Sequence, residues 1–172
     1  MLDRLKKMFG DSQRTLSVFA PFSGTIQTLE SINDGVFSAG TLGPGIAMLP
    51  DDSETEIKAP IGGQLMSVSD MSHAVIIRAK GGLEVLIHVG IGTIALKGKH
   101  FESLVKNSDY IKVGDPILKF DANAIKEAGY SMVTPITLPS LGDYTKLDIL
   151  EHDPKVTALE EILRLVQEDK KA

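Results

Sequence analysis

The chain has no cysteine and no tryptophan among its 172 residues. That excludes a disulfide framework, a thiolate zinc site and a thiol nucleophile, and it is compatible with a cytoplasmic address. Aromatic residues make up only 5%, too few to expect stacking platforms for sugars or bases. There is no basic surplus: 18 Lys and Arg stand against 23 Asp and Glu, for a net charge of -5. No nucleic-acid partner is therefore expected. No apolar run approaches the roughly 20 residues of a membrane span, and no apolar core of a secretion signal opens the chain. What is present is 42% hydrophobic residues in a length that supports one domain with a real core.

Residues 1–9 place Met1, Leu2, Leu5, Met8 and Phe9 at helical spacing, with Arg4, Lys6 and Lys7 between them. This short basic stretch is expected as a leader over residues 1–15, with weak contact to an anionic membrane surface as its functional alternative. A single domain is expected over 16–172. From Leu16 onward, β-rich runs alternate with Gly, Pro, Asp and Asn every eight to twelve residues, the pattern of an all-β sandwich or barrel. Strands are expected near residues 16–20, 24–29, 46–49, 56–59, 64–67, 73–79, 84–89, 94–96, 111–113, 116–120, 132–138 and 146–150. Two short helices are expected, at His100–Val105 and at Asp121–Gly129. The second has Asp121 to cap its start and Gly129 to close it. Residues 156–166 have helical propensity, with a closing strand as the rival. An internal echo links Ala20-Pro21-Phe22-Ser23-Gly24-Thr25-Ile26 to Ala59-Pro60-Ile61-Gly62-Gly63-Gln64-Leu65. It points to a sheet built by repeating one hairpin-like unit.

The informative stretch runs from His73 to Gly90. Two β-branched runs flank Gly81-Gly82, as in a hairpin with a tight turn. A two-residue loop pairs Lys80 with Leu83, sets Val75 opposite His88, and puts His73 and His88 on one face as diagonal neighbours. An odd loop puts them on opposite faces. Gly90 and Gly92 leave the ground beside His88 bare. Near neutral pH an imidazole is a competent nucleophile. No serine nucleophile elbow or dinucleotide fingerprint is present, and Gly40-Thr41-Leu42-Gly43-Pro44-Gly45 lacks the Lys-Ser/Thr ending of a phosphate loop. Two chemistries remain. One is metal ligation by His73 and His88 with a third ligand such as Asp70, His100 or His152. The other is transient phosphorylation of one imidazole beside the other. Asp34, between Asn33 and Gly35, is a turn residue first and a partner-facing acid second.

These residues resemble the glucose-type IIA component of the bacterial phosphoenolpyruvate-dependent sugar phosphotransferase system. The resemblance spans about Val18 to Val166. It is carried by Ala20-Pro21 with Ser23-Gly24, Gly45-Ile46-Ala47, Ala59-Pro60 with Gly62, and His73-Ala74. The densest block is Glu84-Val85-Leu86-Ile87-His88-Val89-Gly90-Ile91 with Thr93 and Leu96-Lys97-Gly98. Val113-Gly114-Asp115 and Thr134-Pro135-Ile136 follow.

The resemblance implies an all-β fold. It is an antiparallel β-sandwich or barrel-sandwich of the duplicated hybrid motif, with one or two short helices and a closing strand near Ile162. It implies that His88 accepts a phosphoryl group from phospho-HPr and passes it to a cysteine of a IIB domain of a sugar permease, while His73 supports the phosphoryl group. Asp34, Phe37, Leu42, Val89, Gly90 and Gly92 are then the expected partner-binding residues. No cofactor is expected to be required; zinc held by His73 and His88 at a partner interface is the one candidate. Regulation of permeases or kinases by phosphorylation state is the alternative role. A zinc endopeptidase of related β architecture fits less well, because Leu86 occupies the place of its paired histidine. Several positions depart from the family's pattern. Met71 stands where a threonine hydroxyl bonds within the site, Ser69 where an aromatic is usual, and Gly92 where an aspartate is usual. Gly43-Pro44-Gly45 replaces Gly-Asp-Gly, and Gly98-Lys99-His100-Phe101 replaces Gly-Glu-Gly-Phe. Two acids near the site are lost and a third becomes a lysine, so complementarity to a basic donor face is expected to weaken.

Overall fold

The computed structural model describes residues 14–150 and 153–168. The basic stretch at 1–9 and His152 lie outside them. Among the described residues fourteen strands run in chain order: β1 (Arg14–Phe19), β2 (Gly24–Gln27), β3 (Gly45–Pro50), β4 (Glu56–Lys58), β5 (Gly63–Val68), β6 (Ala74–Arg78), β7 (Glu84–His88), β8 (Phe101–Ser103), β9 (Tyr110–Ile111), β10 (Pro116–Phe120), β11 (Thr134–Ser140), β12 (Lys146–Ile149), β13 (Lys155–Val156) and β14 (Glu161–Gln167). One helix, α1 (Ala122–Glu127), joins β10 to β11. All strand pairings are antiparallel.

The sheets have a two-fold plan. The large sheet has the order β13-β2-β3-β11-β7-β6-β5-β9, and the two small ones β1-β14-β12 and β4-β10-β8. Exchanging β1, β2 and β3 with β4, β5 and β6, β11 with β7, and β12, β13 and β14 with β8, β9 and β10 returns the same three orders. The Ala-Pro echo is the visible trace of this exchange. Phe19 N–H donates to Pro60 O and Lys58 N–H donates to Pro21 O, both at 2.9 Å. Ala20 N–H and Ala59 N–H likewise reach Glu160 O and Asp115 O, both at 2.8 Å. Gly24 and Gly63 open matching strands where a Cβ would lie 2.1 Å from Leu49 O and 2.3 Å from Arg78 O, so only glycine fits either place. One copy, β4 to β10, is continuous. It is inserted between β3 and β11 of the other, which is why the sequence shows one clear echo and not a run of repeats.

The main core lies between the sheets and contains Phe22, Met48, Ile57, Leu65, Ile77, Ile87, Leu118 and Ile162, all buried. A second, smaller cluster lies on the outer face of the large sheet. There Leu29 and Phe37, from the segment between β2 and β3, cluster with Ala47 of β3 and Leu86 of β7. Both faces of β7 are therefore buried at Val85, Leu86 and Ile87. Asp121 caps α1 by accepting the Ala124 N–H at 3.0 Å, and Gly129, at φ 91°, follows its end.

Two expectations are corrected. Phe101–Ser103 is a strand paired to Leu118–Phe120, not part of a helix; Phe101 packs inward on the core, and pairing overrides local propensity. Residues 93–96 form a 3-10 turn after Gly92, at φ 72°, not a strand. The closing strand expected near Ile162 is present over Glu161–Gln167, with Ile162, Leu163, Leu165 and Val166 buried despite local helical propensity. No helix among the described residues is long and apolar enough to cross a membrane.

Candidate functional site

The hairpin of β6 and β7 pairs Ala74 with His88, Val75 with Ile87 and Arg78 with Glu84. The expected register was off by one. The loop is Lys80-Gly81-Gly82, a three-residue 3-10 turn with Gly81 at φ 72° and Gly82 at φ 75°. On a regular ladder this odd loop would put the two imidazoles on opposite faces. They meet nonetheless at the end of the hairpin, where His73 lies just before β6 and follows the left-handed Ser72 at φ 53°. Val89 N–H donates to His73 O at 2.8 Å, which continues the ladder one residue beyond β6. The ring centroids are 4.8 Å apart at an interplanar angle of 81°.

Each ring has its own anchor. His88 Nδ1 lies 2.8 Å from Gly90 O. A carbonyl only accepts, so Nδ1 carries the proton and Nε2 is left with the lone pair. The Gly90 peptide is held from its other side, where Gly90 N–H donates to Thr134 Oγ1 at 3.3 Å and Thr134 Oγ1–H donates to Met132 O at 2.9 Å. His73 is 5% exposed. Its Nδ1 lies 3.2 Å from Ser69 Oγ, and its ring stands edge-on to Phe101 at 6.4 Å. Phe37 closes the other flank, with its ring 5.3 Å from that of His88.

Both imidazoles favour the neutral form. Burial, then the neighbouring His88, pushes His73 from its ordinary 6.5 down to about 4. Burial lowers His88 too, opposed by its bond to Gly90 O and by the charge of Asp34. A neutral imidazole has a usable lone pair, so the depression suits nucleophilic chemistry at neutral pH. It also has a consequence for stability. Between pH 6.5 and about 4 the unfolded chain protonates His73 while the folded chain does not, so stability falls as the pH is lowered through that window. His73→Gln should flatten the fall in urea midpoint between pH 7 and pH 4.5; an unchanged slope would contradict it. Asp34, whose pKa is lowered by backbone N–H groups that outweigh its own desolvation, acts in a separate window below 3.8.

The other expected site residues are only partly brought together. Asp34 Oδ1 accepts the N–H groups of Val36 at 3.1 Å and Ser38 at 3.0 Å, which shapes the turn that carries Phe37. Leu42 packs on the outer cluster with Phe37. Val89 is a correction: it is 1% exposed and belongs to the main core, because it alternates with His88 to the inner face. Gly90 is buried and acts through its carbonyl; Gly92 is exposed beside Tyr130. Val36 and Ile94, not among the expected site residues, are 45% and 61% exposed. Ser69, Phe101, Tyr130 and Thr134 were also not assigned roles. Thr134 alone had a signal, in its Thr-Pro-Ile block. Among the described residues no group of three or more His, Cys, Asp or Glu side chains is placed to hold a metal ion. Neither Asp70 nor His100 completes a ligand set with the histidine pair.

Residues 16–144 match the model of the phosphoenolpyruvate-dependent sugar phosphotransferase system, EIIA 1, family. The chain belongs to that family. This EIIA chain is 38% identical over 136 residues to the glucose-specific EIIA component of Staphylococcus epidermidis, covering 77% of this chain and 81% of that one. It is 36% identical over 128 residues to the β-glucoside-specific EIIBCA component of Bacillus subtilis, covering 74% of this chain but 21% of that much longer protein. This EIIA chain thus spans about a fifth of the β-glucoside relative. The solved glucose permease IIA from Mycoplasma capricolum superposes with a TM-score of 0.81 at 31% identity, covering 88% of this chain and 96% of that one. The β-sandwich is therefore the fold of that IIA structure.

Proposed function

We propose that the protein is a phosphocarrier in which His88 Nε2 takes a phosphoryl group from a phosphohistidine of HPr and hands it to a cysteine of a IIB domain. The observation that carries this reading is the 2.8 Å bond from His88 Nδ1 to Gly90 O. It fixes the nucleophilic nitrogen before any donor arrives. On acceptance, the Nε2 lone pair forms the new N–P bond, and the donor's N–P bond breaks with its electron pair returning to the donor imidazole. On release, a thiolate forms an S–P bond and the N–P electron pair returns to Nε2. Nδ1 keeps its proton throughout, held by Gly90 O, so His88 leaves as the same neutral tautomer that attacked. His73, 4.8 Å away between ring centroids, is the neighbouring donor for the phosphoryl oxygens. No step needs a resident cofactor. An EIIB part as recipient is supported by the EIIBCA relative, whose name joins the two parts in one component.

Incubation with phosphoenolpyruvate, enzyme I and HPr, followed by intact-mass measurement, should show a gain of one phosphoryl group. Addition of a purified IIB domain should discharge it. His73→Gln is expected to accept the group but fail to pass it on. A wild-type chain that stays unlabelled would overturn the reading.

A further inference from the structure

Ser69 has no role in the transfer described so far, yet its hydroxyl is the most heavily used polar atom beside the histidine pair. Its Oγ accepts the backbone N–H of His73 at 3.2 Å and of Ala74 at 3.3 Å. The same oxygen lies 3.2 Å from His73 Nδ1. A serine oxygen has two lone pairs and one proton. With both lone pairs taken by backbone donors, what it can offer Nδ1 is the proton. The serine itself is fixed by the turn it starts: Ser69 N–H donates to Ala74 O at 3.0 Å, and Ser72 N–H donates to Ser69 O at 2.8 Å.

We propose that Ser69 is a positioning residue whose O–H donates to His73 Nδ1 and so holds His73 as the Nε2–H tautomer. The two adjacent imidazoles then carry opposite tautomers. His88 has its proton on Nδ1 and a free pair on Nε2; His73 has its free pair on Nδ1 and its proton on Nε2. One ring attacks, and the other presents a donor to the oxygens that arrive. Both do so without charge, which avoids repulsion between imidazolium rings 4.8 Å apart. Freed of Ser69, His73 would also populate the Nδ1–H form. Its Nε2 lone pair would then face the phosphoryl oxygens where a donor is needed. The consequence for transfer rests on the phosphocarrier reading; the tautomer does not.

The test begins with the intact, unphosphorylated chain. Nitrogen-15 NMR of its histidines at neutral pH should show His73 protonated on Nε2. Ser69→Ala should give a mixture of tautomers, and Ser69→Thr, which keeps the hydroxyl, should restore the single form. With IIB as acceptor, Ser69→Ala should slow discharge of phospho-His88 by about 3- to 10-fold, the loss of one neutral hydrogen bond, with recovery in Ser69→Thr. Wild-type His73 protonated on Nδ1 would overturn the proposal without any variant. So would a Ser69→Ala spectrum identical to that of the wild type, or a slowed discharge that Ser69→Thr fails to restore. If the chain is never phosphorylated but the tautomers behave as stated, the phosphocarrier reading falls and the Ser69 assignment stands.

Discussion

His88→Ala is expected to abolish phosphorylation, lowering the rate of labelling by at least about 10³-fold. The neighbouring imidazole does not replace it. His73 is 5% exposed, with its Nδ1 engaged by Ser69. Of the two rings, His88 is the one that combines a proton pinned by a carbonyl with a free Nε2. The loss should be chemical and not a failure to fold. His88 ends β7 at the margin of the sheet, and the core residues Val85 and Ile87 remain. Quantitative labelling with phospho-HPr, alongside a thermal melt of the same variant, checks both halves. Labelling that persists in His88→Ala and vanishes in His73→Ala would move the nucleophile to the other ring.

Gly90→Ala should damage stability and transfer together. Gly90 has φ 74°, and a Cβ there would lie 2.6 Å from Thr93 Cγ2 and 2.7 Å from Ser131 O. The left-handed backbone and the overlap together cost about 3 kcal/mol, which for a chain of this size lowers the melting temperature by roughly 6–12 °C. The forced shift also moves the Gly90 carbonyl away from His88 Nδ1, so the ring loses the partner that fixes its tautomer, and acceptance should fall about tenfold. Gly92→Ala is the control. Its φ of 72° is equally left-handed, but a Cβ there meets only the Tyr130 ring at 3.6 Å. It should cost about 1–2 kcal/mol and leave acceptance near the wild-type rate. Equal loss of transfer in both variants would mean that backbone strain, and not the carbonyl, is what matters.

Much of this fold was legible in the chain because its signals are local. The β-rich runs, their Gly and Pro boundaries and the capped helix after Asp121 were all found by spacing. The histidine pair was found too, though by a register that the structure corrects: a two-residue turn was assumed where Lys80-Gly81-Gly82 makes a three-residue one. The rings meet at the end of the hairpin, where His73 follows the left-handed Ser72, a contact that alternation along the strands does not foretell. Phe101–Ser103 looked helical because its partner, Leu118–Phe120, is distant in sequence. The resemblance implies a partner-facing Val89, yet adjacent strand residues point to opposite faces and Val89 follows His88. Ser69 stands where the family has an aromatic; its value lies in one oxygen that meets three nitrogens, a convergence that arises only in the folded turn.

The nested repeat bears on modularity. Both histidines, with Ser69 and Phe101, belong to the inserted copy. Phe37, Asp34 and the Thr134 hydroxyl that steadies Gly90 belong to the host copy, and the two copies are stitched at β7 and β11 through the rungs Ile87–Ile136 and Leu86–Thr137. The working centre is thus an interface within one polypeptide. Excising the continuous insert would carry away both imidazoles yet strip the nucleophile of its aromatic flank and its second-layer support. The duplication supplies a frame of two like halves, but the smallest unit able to act as a carrier is the pair.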